Sequence, residues 1–392
     1  NYRDFKPRPQ IPYLSKKFFY REKMPMINYL KSSISISSYD GCTIGCKYCI
    51  LSALGERECV KKITDEEKLV EELLNFRLYT KEIPISVNNQ TDPFLNQEVF
   101  ESTIKILKIM EEKQMENPVL VITKGYINDR QAQILSQINL KLIILYTFSG
   151  LSEVLENRNE KQQIQTMERL SELKNIKLIN YYRPVIEGLN TDVKTIEKVA
   201  NIVLKYCGAS IISGIRINSY LKKVLADLNI KIPSKYDPDH KVLLPETYNK
   251  ILDVFKSLDK NYPVFKKTSC GVSYVLKRPD YNGHSARIYY CKPTCISYPI
   301  CIGNSKIGFC NKECPNYNIC KKESEKQITR DDFQDALAKI DKPNSNFQIN
   351  EHFIKLEGTY WQEEVSFLRH LTKKNIKADK LLKRKDEFLI SQ

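Results

Sequence analysis

Between residues 34 and 218 the chain alternates short apolar, β-branched runs with longer stretches whose apolar positions recur at helical spacing. The runs Ile34–Ser37, Ile83–Asn88, Val119–Thr123, Lys141–Thr147, Ile176–Tyr182 and Ser210–Asn218 predict strands. The stretches between them predict helices with recognisable starts. These are a Thr64-Asp-Glu-Glu67 capping box, Asn96 ahead of an acidic first turn, and Thr191 after the turn Gly188-Leu-Asn190. Strand, helix, strand at this rhythm makes βαβ units and a parallel sheet. Six such strands are too few for a closed eight-stranded barrel, so the expected fold class is α/β with an open sheet.

Outside that region the pattern changes. Residues 1–33 read as an N-terminal extension, and 219–269 as a polar, partly helical connection punctuated by prolines at 233, 238, 245 and 263. Residues 270–325 are rich in cysteine. Residues 326–392 read as a charged helical tail, its end Leu371-Thr-Lys-Lys-Asn-Ile-Lys-Ala-Asp-Lys-Leu-Leu-Lys-Arg-Lys385 amphipathic and solvated. No apolar run reaches membrane-spanning length, so no membrane partner is expected.

At 392 residues the chain can bury a sizeable core, and a hydrophobic content of 42% is ordinary for a globular protein. The net charge of +15 raises the question of a polyanionic partner. The positive residues are spread along the whole chain, with mild excesses in 1–31 and 373–385, which favours solvated lysines on helix faces. Twelve cysteines, with no signal-peptide pattern in Asn1-Tyr-Arg-Asp-Phe-Lys-Pro-Arg-Pro9, point to metal or redox use in a reducing cytoplasm rather than to disulfides.

Three of these cysteines are the most informative. Cys42, Cys46 and Cys49 form C-x3-C-x2-C in Tyr39-Asp-Gly-Cys-Thr-Ile-Gly-Cys-Lys-Tyr-Cys49, just after the first predicted strand. Three thiolates this close can hold three irons of a [4Fe–4S] cluster and leave the fourth without a protein ligand. An open metal position is what a reactive site keeps. The bland alternative is a cysteine-rich loop or a zinc knuckle lacking its fourth ligand. The spacing, the glycines at 41 and 45, and Tyr48 resemble the radical S-adenosylmethionine (SAM) superfamily. Three further stretches make the core most similar to its spore photoproduct lyase and DNA photolyase-like branch: Asn88-Asn-Gln-Thr-Asp-Pro93, Ile122-Thr-Lys-Gly125 and Arg183-Pro-Val-Ile-Glu-Gly-Leu-Asn190.

The resemblance implies a partial (β/α)6 barrel over residues 34–218, followed by a C-terminal cysteine-rich domain and the helical tail. It implies an enzyme with a [4Fe–4S] cluster on Cys42, Cys46 and Cys49, fed by an electron donor such as flavodoxin or ferredoxin. In that family the cluster cleaves SAM to methionine and a 5′-deoxyadenosyl radical, which abstracts hydrogen from an unactivated C–H. By position, Tyr48, Thr91, Asp92, Lys124 and Ser149 are expected around SAM. Thr91 and Asp92 would accept from its ammonium, Lys124 would neutralise its carboxylate and Ser149 would reach its ribose. The plain alternatives are a loop lysine at 124 and a turn-former at Asp92 before Pro93. One departure bears on substrate. Asn88, Asn89 and Gln90 stand where spore photoproduct lyase keeps a hydrogen-donating cysteine near its Thr-Ser-Asp stretch. The expected substrate is therefore a small molecule or peptide, with nucleic-acid repair or modification as the alternative. A non-catalytic metal-binding nucleic-acid adaptor is the alternative from another class.

The second cysteine group reads Cys291-x3-Cys295-x5-Cys301-x8-Cys310-x3-Cys314-x5-Cys320. Four of these thiols can hold an auxiliary [4Fe–4S] cluster, or Cys291, Cys295, Cys310 and Cys314 a structural zinc. Cys270 stands upstream in Thr268-Ser-Cys-Gly271 as a candidate hydrogen-atom donor or a further ligand. His240, His284, His352 and His370 show no ligand spacing and read as structural or surface residues. Cys59 and Cys207 read as packed thiols.

Overall fold

Six parallel strands, one on each run expected from the sequence, lie side by side in chain order in the computed structural model. It describes residues 26–49, 60–217, 219–230, 241–284, 314–350 and 353–382. The chain opens with β1 (Ile27–Tyr29), β2 (Ile34–Ile36), β3 (Tyr39–Asp40), β4 (Lys61–Lys62) and α1 (Glu66–Leu74). Then follow β5 (Ile85–Val87), α2 (Gln97–Glu112), β6 (Val119–Thr123), α3 (Asp129–Ser136) and β7 (Leu142–Thr147). After these come α4 (Glu153–Glu156), α5 (Glu160–Ser171), β8 (Ile176–Val185), α6 (Val193–Tyr206) and β9 (Ser210–Gly214). The last elements of this part are α7 (Ser219–Asp227), α8 (Pro245–Leu258), β10 (Val264–Phe265) and α9 (Thr268–Val275). The sheet order is β1-β2-β5-β6-β7-β8-β9-β10, with β1 antiparallel to β2 and every other pair parallel.

The β-branched runs are explained by burial on both faces of the sheet. On β7, Leu142, Ile144 and Tyr146 pack outward with Ile106 and Leu107 of α2 and Val199 and Val203 of α6. Ile143 and Leu145 point the other way. With Leu120, Ile179, Tyr181 and Ile211 they meet Phe265, Cys270, Val272, Tyr281 and Cys314 on the inner face. The segment after β9 thus folds back into the open barrel, and two of its cysteines lie in that inner layer.

The helix starts follow the sequence with two adjustments. Asn96 caps α2 by accepting from the Val99 amide at 2.9 Å, as expected, a contact worth about 1 kcal/mol. The capping box at Thr64 does not form. Asp65 holds the N-cap position of α1 without a side-chain bond, because the Thr64 hydroxyl turns to the Asp65 carbonyl. Asp192, one residue beyond Thr191, caps α6, while the Thr191 hydroxyl accepts from the Gly188 amide and closes the preceding turn.

The C-terminal stretch holds the helices Arg330–Ala338 and Gln362–Thr372, accompanied by a three-stranded sheet of Phe347–Ile349, Ile354–Trp361 and Ile376–Leu382. Part of the end read as a solvated tail is therefore a strand, paired in parallel with Ile354–Trp361. Its lysines face water from a pleat, a pattern that a helix surface also shows. The unit continues the main core through Phe333, Leu337, Leu356, Tyr360 and Leu368. It docks on the sheet edge at β1, where buried His370 bonds the Tyr29 hydroxyl at 2.7 Å and the Lys31 carbonyl at 2.8 Å. His370 is structural, as read. No helix among the described residues is long and apolar enough to cross a membrane.

Past β9 the backbone passes Val242 closely, and Ile215 and Val242 form an antiparallel bridge. A Cβ at Gly214 would fall 1.6 Å from the Val242 carbonyl oxygen. Gly214→Ala is expected to prise the two segments apart and destabilise the protein by about 2 kcal/mol, measured by denaturant unfolding. An unchanged midpoint would mean that the two segments do not pack this tightly.

Candidate active site: a three-cysteine loop above the strand ends

The loop bearing Cys42, Cys46 and Cys49 is shaped by Gly41 and Gly45, which hold φ values of 91° and 81°. Those are left-handed conformations that a side chain disfavours. The loop is pinned from the segment after β7. The Asn157 amide donates to the Ile44 carbonyl at 2.7 Å, the Lys47 amide donates to the Leu155 carbonyl at 2.9 Å, and the Cys46 thiol faces the Glu156 carbonyl at 3.5 Å. Cys46 is buried, and Cys42 and Cys49 are half-buried.

Burial raises the Cys42 thiol to about 12, with Asp92, Cys49 and Cys46 adding to the rise. Burial raises Cys46 as well, against the opposing charge of Lys124. Burial and neighbouring negative charge thus favour the neutral thiols of Cys42 and Cys46, and a cationic centre is what would let the loop's sulfurs serve together as thiolates. Iron in a cluster supplies one and inverts the local preference for protons. The donor set fits a three-thiolate cluster.

Beneath the loop lies Glu156, which is 2% exposed and which the sequence reading did not single out. Tyr48 donates a short hydrogen bond to its Oε1, Ser149 donates to the same oxygen at 3.3 Å, and Lys124 Nζ lies 3.4 Å away. Lys124 also donates to the Tyr48 hydroxyl and stands 4.7 Å from the centre of its ring. Burial alone would lower Lys124. The negative charges of Glu156, Cys46 and Asp92 outweigh it and hold the ammonium above the ordinary lysine value. The available signal for Glu156 was its place just after the fourth expected strand, in the polar run Glu156-Asn157-Arg158-Asn159.

Asp92 braces the end of β6. Its carboxylate accepts from the Thr123 hydroxyl at 2.7 Å and from the Lys124 and Phe94 amides at 3.0 Å each. Thr91, next to it, is buried, and its hydroxyl has no hydrogen-bond partner among the described residues. A buried polar atom without a partner is costly unless a ligand or water completes it. Asn190 links the turn after β8 to this floor, donating to the Ser149 carbonyl at 2.8 Å and accepting from the Ile186 amide at 2.8 Å. Asn88 is structural, bonding Ser38 and Thr103.

The structure therefore gathers Cys42, Cys46, Cys49, Tyr48, Lys124 and Ser149 around Glu156, with Thr91 and Asp92 alongside. Cys270, Cys314 and Cys320 belong to a different place, the inner face and its margin. Cys207 is buried at the end of α6, as read for a packed thiol. Cys59, Cys291, Cys295, Cys301, Cys310, His240 and His352 lie outside the described residues.

A second feature of the barrel mouth is positive. The Ile215–Val242 bridge places Arg216 beside Lys241, and the Tyr181 hydroxyl joins Arg183 (3.1 Å) to Thr268 (2.8 Å), the neighbour of Lys267. Lys241 is exposed to solvent, and the charges of Arg183, Lys267 and Arg216 bear on it.

No protein-family model and no curated protein matches the chain. Solved structures do. A spore photoproduct lyase double mutant with bound AdoMet and dinucleoside spore photoproduct aligns with a TM-score of 0.50 at 12% identity, over 63% of this chain and 81% of that one. A Tyr-to-Phe mutant of spore photoproduct lyase aligns with the same TM-score and coverage at 11% identity. At this identity the likeness speaks for the fold. The chain has the open partial-barrel α/β fold of these structures, the fold expected from its sequence.

Proposed function

We propose that the protein is a radical SAM enzyme acting on a small molecule or peptide that carries an anionic group. The observation that carries this reading is the three-thiol loop held over the ends of parallel strands by Glu156, Asn157 and Leu155. When bound at Cys42, Cys46 and Cys49, a [4Fe–4S] cluster with SAM supplies reductive cleavage to methionine and a 5′-deoxyadenosyl radical able to abstract hydrogen from an unactivated C–H. The chain's own residues orient and shield. The Thr91 hydroxyl, without a partner among the described residues, is available to the SAM ammonium. Asp92 fixes the backbone at Lys124, so that this ammonium stays at the thiol loop. Ser149 and Tyr48 close the floor by bonding Glu156. Such a site must hold the substrate C–H in register and keep water away from a radical.

Arg183, Arg216, Lys241 and Lys267 make the mouth electropositive, which supports an anionic substrate, since like-signed side chains around an opening draw a carboxylate or phosphate to it. The same cations and the +15 charge favour, as a second reading, modification or repair of nucleic acid. One experiment separates the two. Anaerobically reconstituted protein, given SAM and dithionite in place of a flavodoxin- or ferredoxin-type donor, is expected to form 5′-deoxyadenosine at near-physiological salt without stimulation by DNA or RNA. Saturable stimulation, with deuterium passing from labelled nucleic acid into deoxyadenosine and affinity falling steeply with salt, would move the substrate to the second class. No deoxyadenosine at all from cluster-loaded protein would sink the whole reading.

A further inference from the structure

A second set of metal-binding side chains converges on the inner face of the sheet, away from the three-cysteine loop. Cys270 sits on α9, and Asp280 and His284 follow in the next turns of chain. Their Sγ, carboxylate and Nδ1 atoms lie within 4.8 Å of one another, and all three residues are buried. His284 Nδ1 stands 3.0 Å from Asp280 Oδ2, 3.2 Å from Ser269 Oγ and 3.8 Å from Cys270 Sγ. One ring nitrogen carries at most one proton, yet three polar atoms face it.

The 3.0 and 3.8 Å separations, with all three atoms within 4.8 Å, lie near those of donor atoms in a tetrahedral zinc site. Ligand bonds of about 2.0–2.3 Å at tetrahedral angles put donor atoms roughly 3.3–3.8 Å apart. The pocket wall around Cys270 is apolar, made by Phe265, Val272, Tyr281 and Ile211. Asp280 Oδ1 is buried there without a hydrogen-bond partner among the described residues. Oδ2 already accepts from the His284 amide at 2.8 Å, so Oδ1 is the oxygen left for a cation to complete. Arg278 is nearby, but its Nη1 is turned to the Glu82 carbonyl at 3.1 Å and the guanidinium packs on the Tyr281 ring. Two more thiols border the site. The Asp280 amide donates to Cys320 Sγ at 3.3 Å, and Cys314 lies in the same inner-face cluster as Cys270.

We propose that Cys270, Asp280 and His284 bind one divalent first-row cation of the zinc type, with Cys314 and Cys320 as the adjacent thiols able to close its fourth position. A mixed sulfur, nitrogen and oxygen donor set suits zinc better than a [4Fe–4S] cluster, which takes thiolates. Cys270 is then a ligand rather than a hydrogen-atom donor, and His284, which has no ligand spacing relative to other histidines, joins it. The Asp280-x3-His284 spacing sets both on one side of a single turn. Such a metal would fasten the segment that fills the barrel interior to the sheet. This inference does not depend on the radical chemistry.

The test uses the full chain with Cys42, Cys46 and Cys49 all replaced by alanine, so that iron at the first site does not interfere. We expect one zinc per chain by elemental analysis, and on cobalt replacement a tetrahedral d–d spectrum with a thiolate-to-cobalt charge-transfer band. Adding His284→Gln is expected to weaken metal binding about a hundredfold or more. Adding Cys270→Ser should remove part of the charge-transfer intensity. Four irons and four sulfides in the triple variant would overturn the proposal. So would an octahedral cobalt spectrum without charge transfer. Unchanged stoichiometric binding in both the His284→Gln and Cys270→Ser proteins would place the metal on other cysteines and overturn it as well. If either substitution unfolds the chain by circular dichroism, the cobalt spectrum of the triple variant alone decides.

Discussion

Replacing Cys42, Cys46 and Cys49 together with alanine is expected to abolish 5′-deoxyadenosine formation while leaving the chain folded. The loss follows from the donor count, since no three-thiolate cluster can be built and no other cysteine among the described residues belongs to this loop. The fold survives because the contacts that pin the loop are mostly backbone: the Ile44 carbonyl to Asn157 and the Lys47 amide to Leu155. Of the three thiols only Cys46 is buried, and its bond to the Glu156 carbonyl is a weak sulfur contact of about 0.5–1 kcal/mol. The melting temperature should therefore fall by no more than about 3 °C. Deoxyadenosine at the wild-type rate from the triple variant would refute the assignment of the site. A chain that fails to fold would show instead that the thiols hold the loop.

Much of the barrel was legible because two-sided burial leaves a strong trace. A run such as Leu142-Ile-Ile-Leu-Tyr-Thr147 carries apolar residues at successive positions and can hardly lie at a surface. Strand ends were less legible. β8 runs on to Val185, three residues past the expected Tyr182, while β9 stops at Gly214, four short of Asn218. Both shifts occur at the barrel mouth, where tertiary contacts such as the Ile215–Val242 bridge decide the backbone. β10 was missed because Val264–Phe265 is too short to show a period. The C-terminal sheet was missed because strands such as Ile376-Lys-Ala-Asp-Lys-Leu-Leu382 bury little and read like the charged face of a helix.

The candidate site divides along the same line. Cys42, Cys46 and Cys49 were legible because metal-ligand spacing is local. Lys124, Asp92, Thr91, Tyr48 and Ser149 were reachable only through their places at strand ends. Glu156 was not found, because what singles it out is that Tyr48, Ser149 and Lys124 all meet on its carboxylate, and those partners lie between 7 and 108 residues away in the chain. Buried hubs of this kind are products of the fold, and a polar run after a strand does not say which of its residues becomes one.

That hub yields the second large effect, a separation of stability from function at Lys124. Glu156 is nearly inaccessible and Lys124 only 13% exposed, so Lys124→Met leaves a buried carboxylate without its cation. Breaking a buried pair from one side costs about 3–5 kcal/mol, mostly the penalty of the stranded charge. Adding Glu156→Gln removes that charge and keeps an acceptor for the Tyr48 and Ser149 hydroxyls. The double variant is therefore expected to recover most of the stability lost by Lys124→Met in denaturant unfolding. SAM binding should not recover with it. A charge-assisted hydrogen bond to the SAM carboxylate contributes about 1.5–3 kcal/mol, so affinity should stay roughly 10- to 100-fold weaker in both variants. The two measurements have to diverge. If SAM affinity returns together with stability, Lys124 serves only to neutralise Glu156, and the SAM carboxylate must be met by another cation. If affinity stays low while the fold is restored, Lys124 does both jobs: it balances the buried glutamate and presents its remaining positive field to the ligand beside the thiol loop.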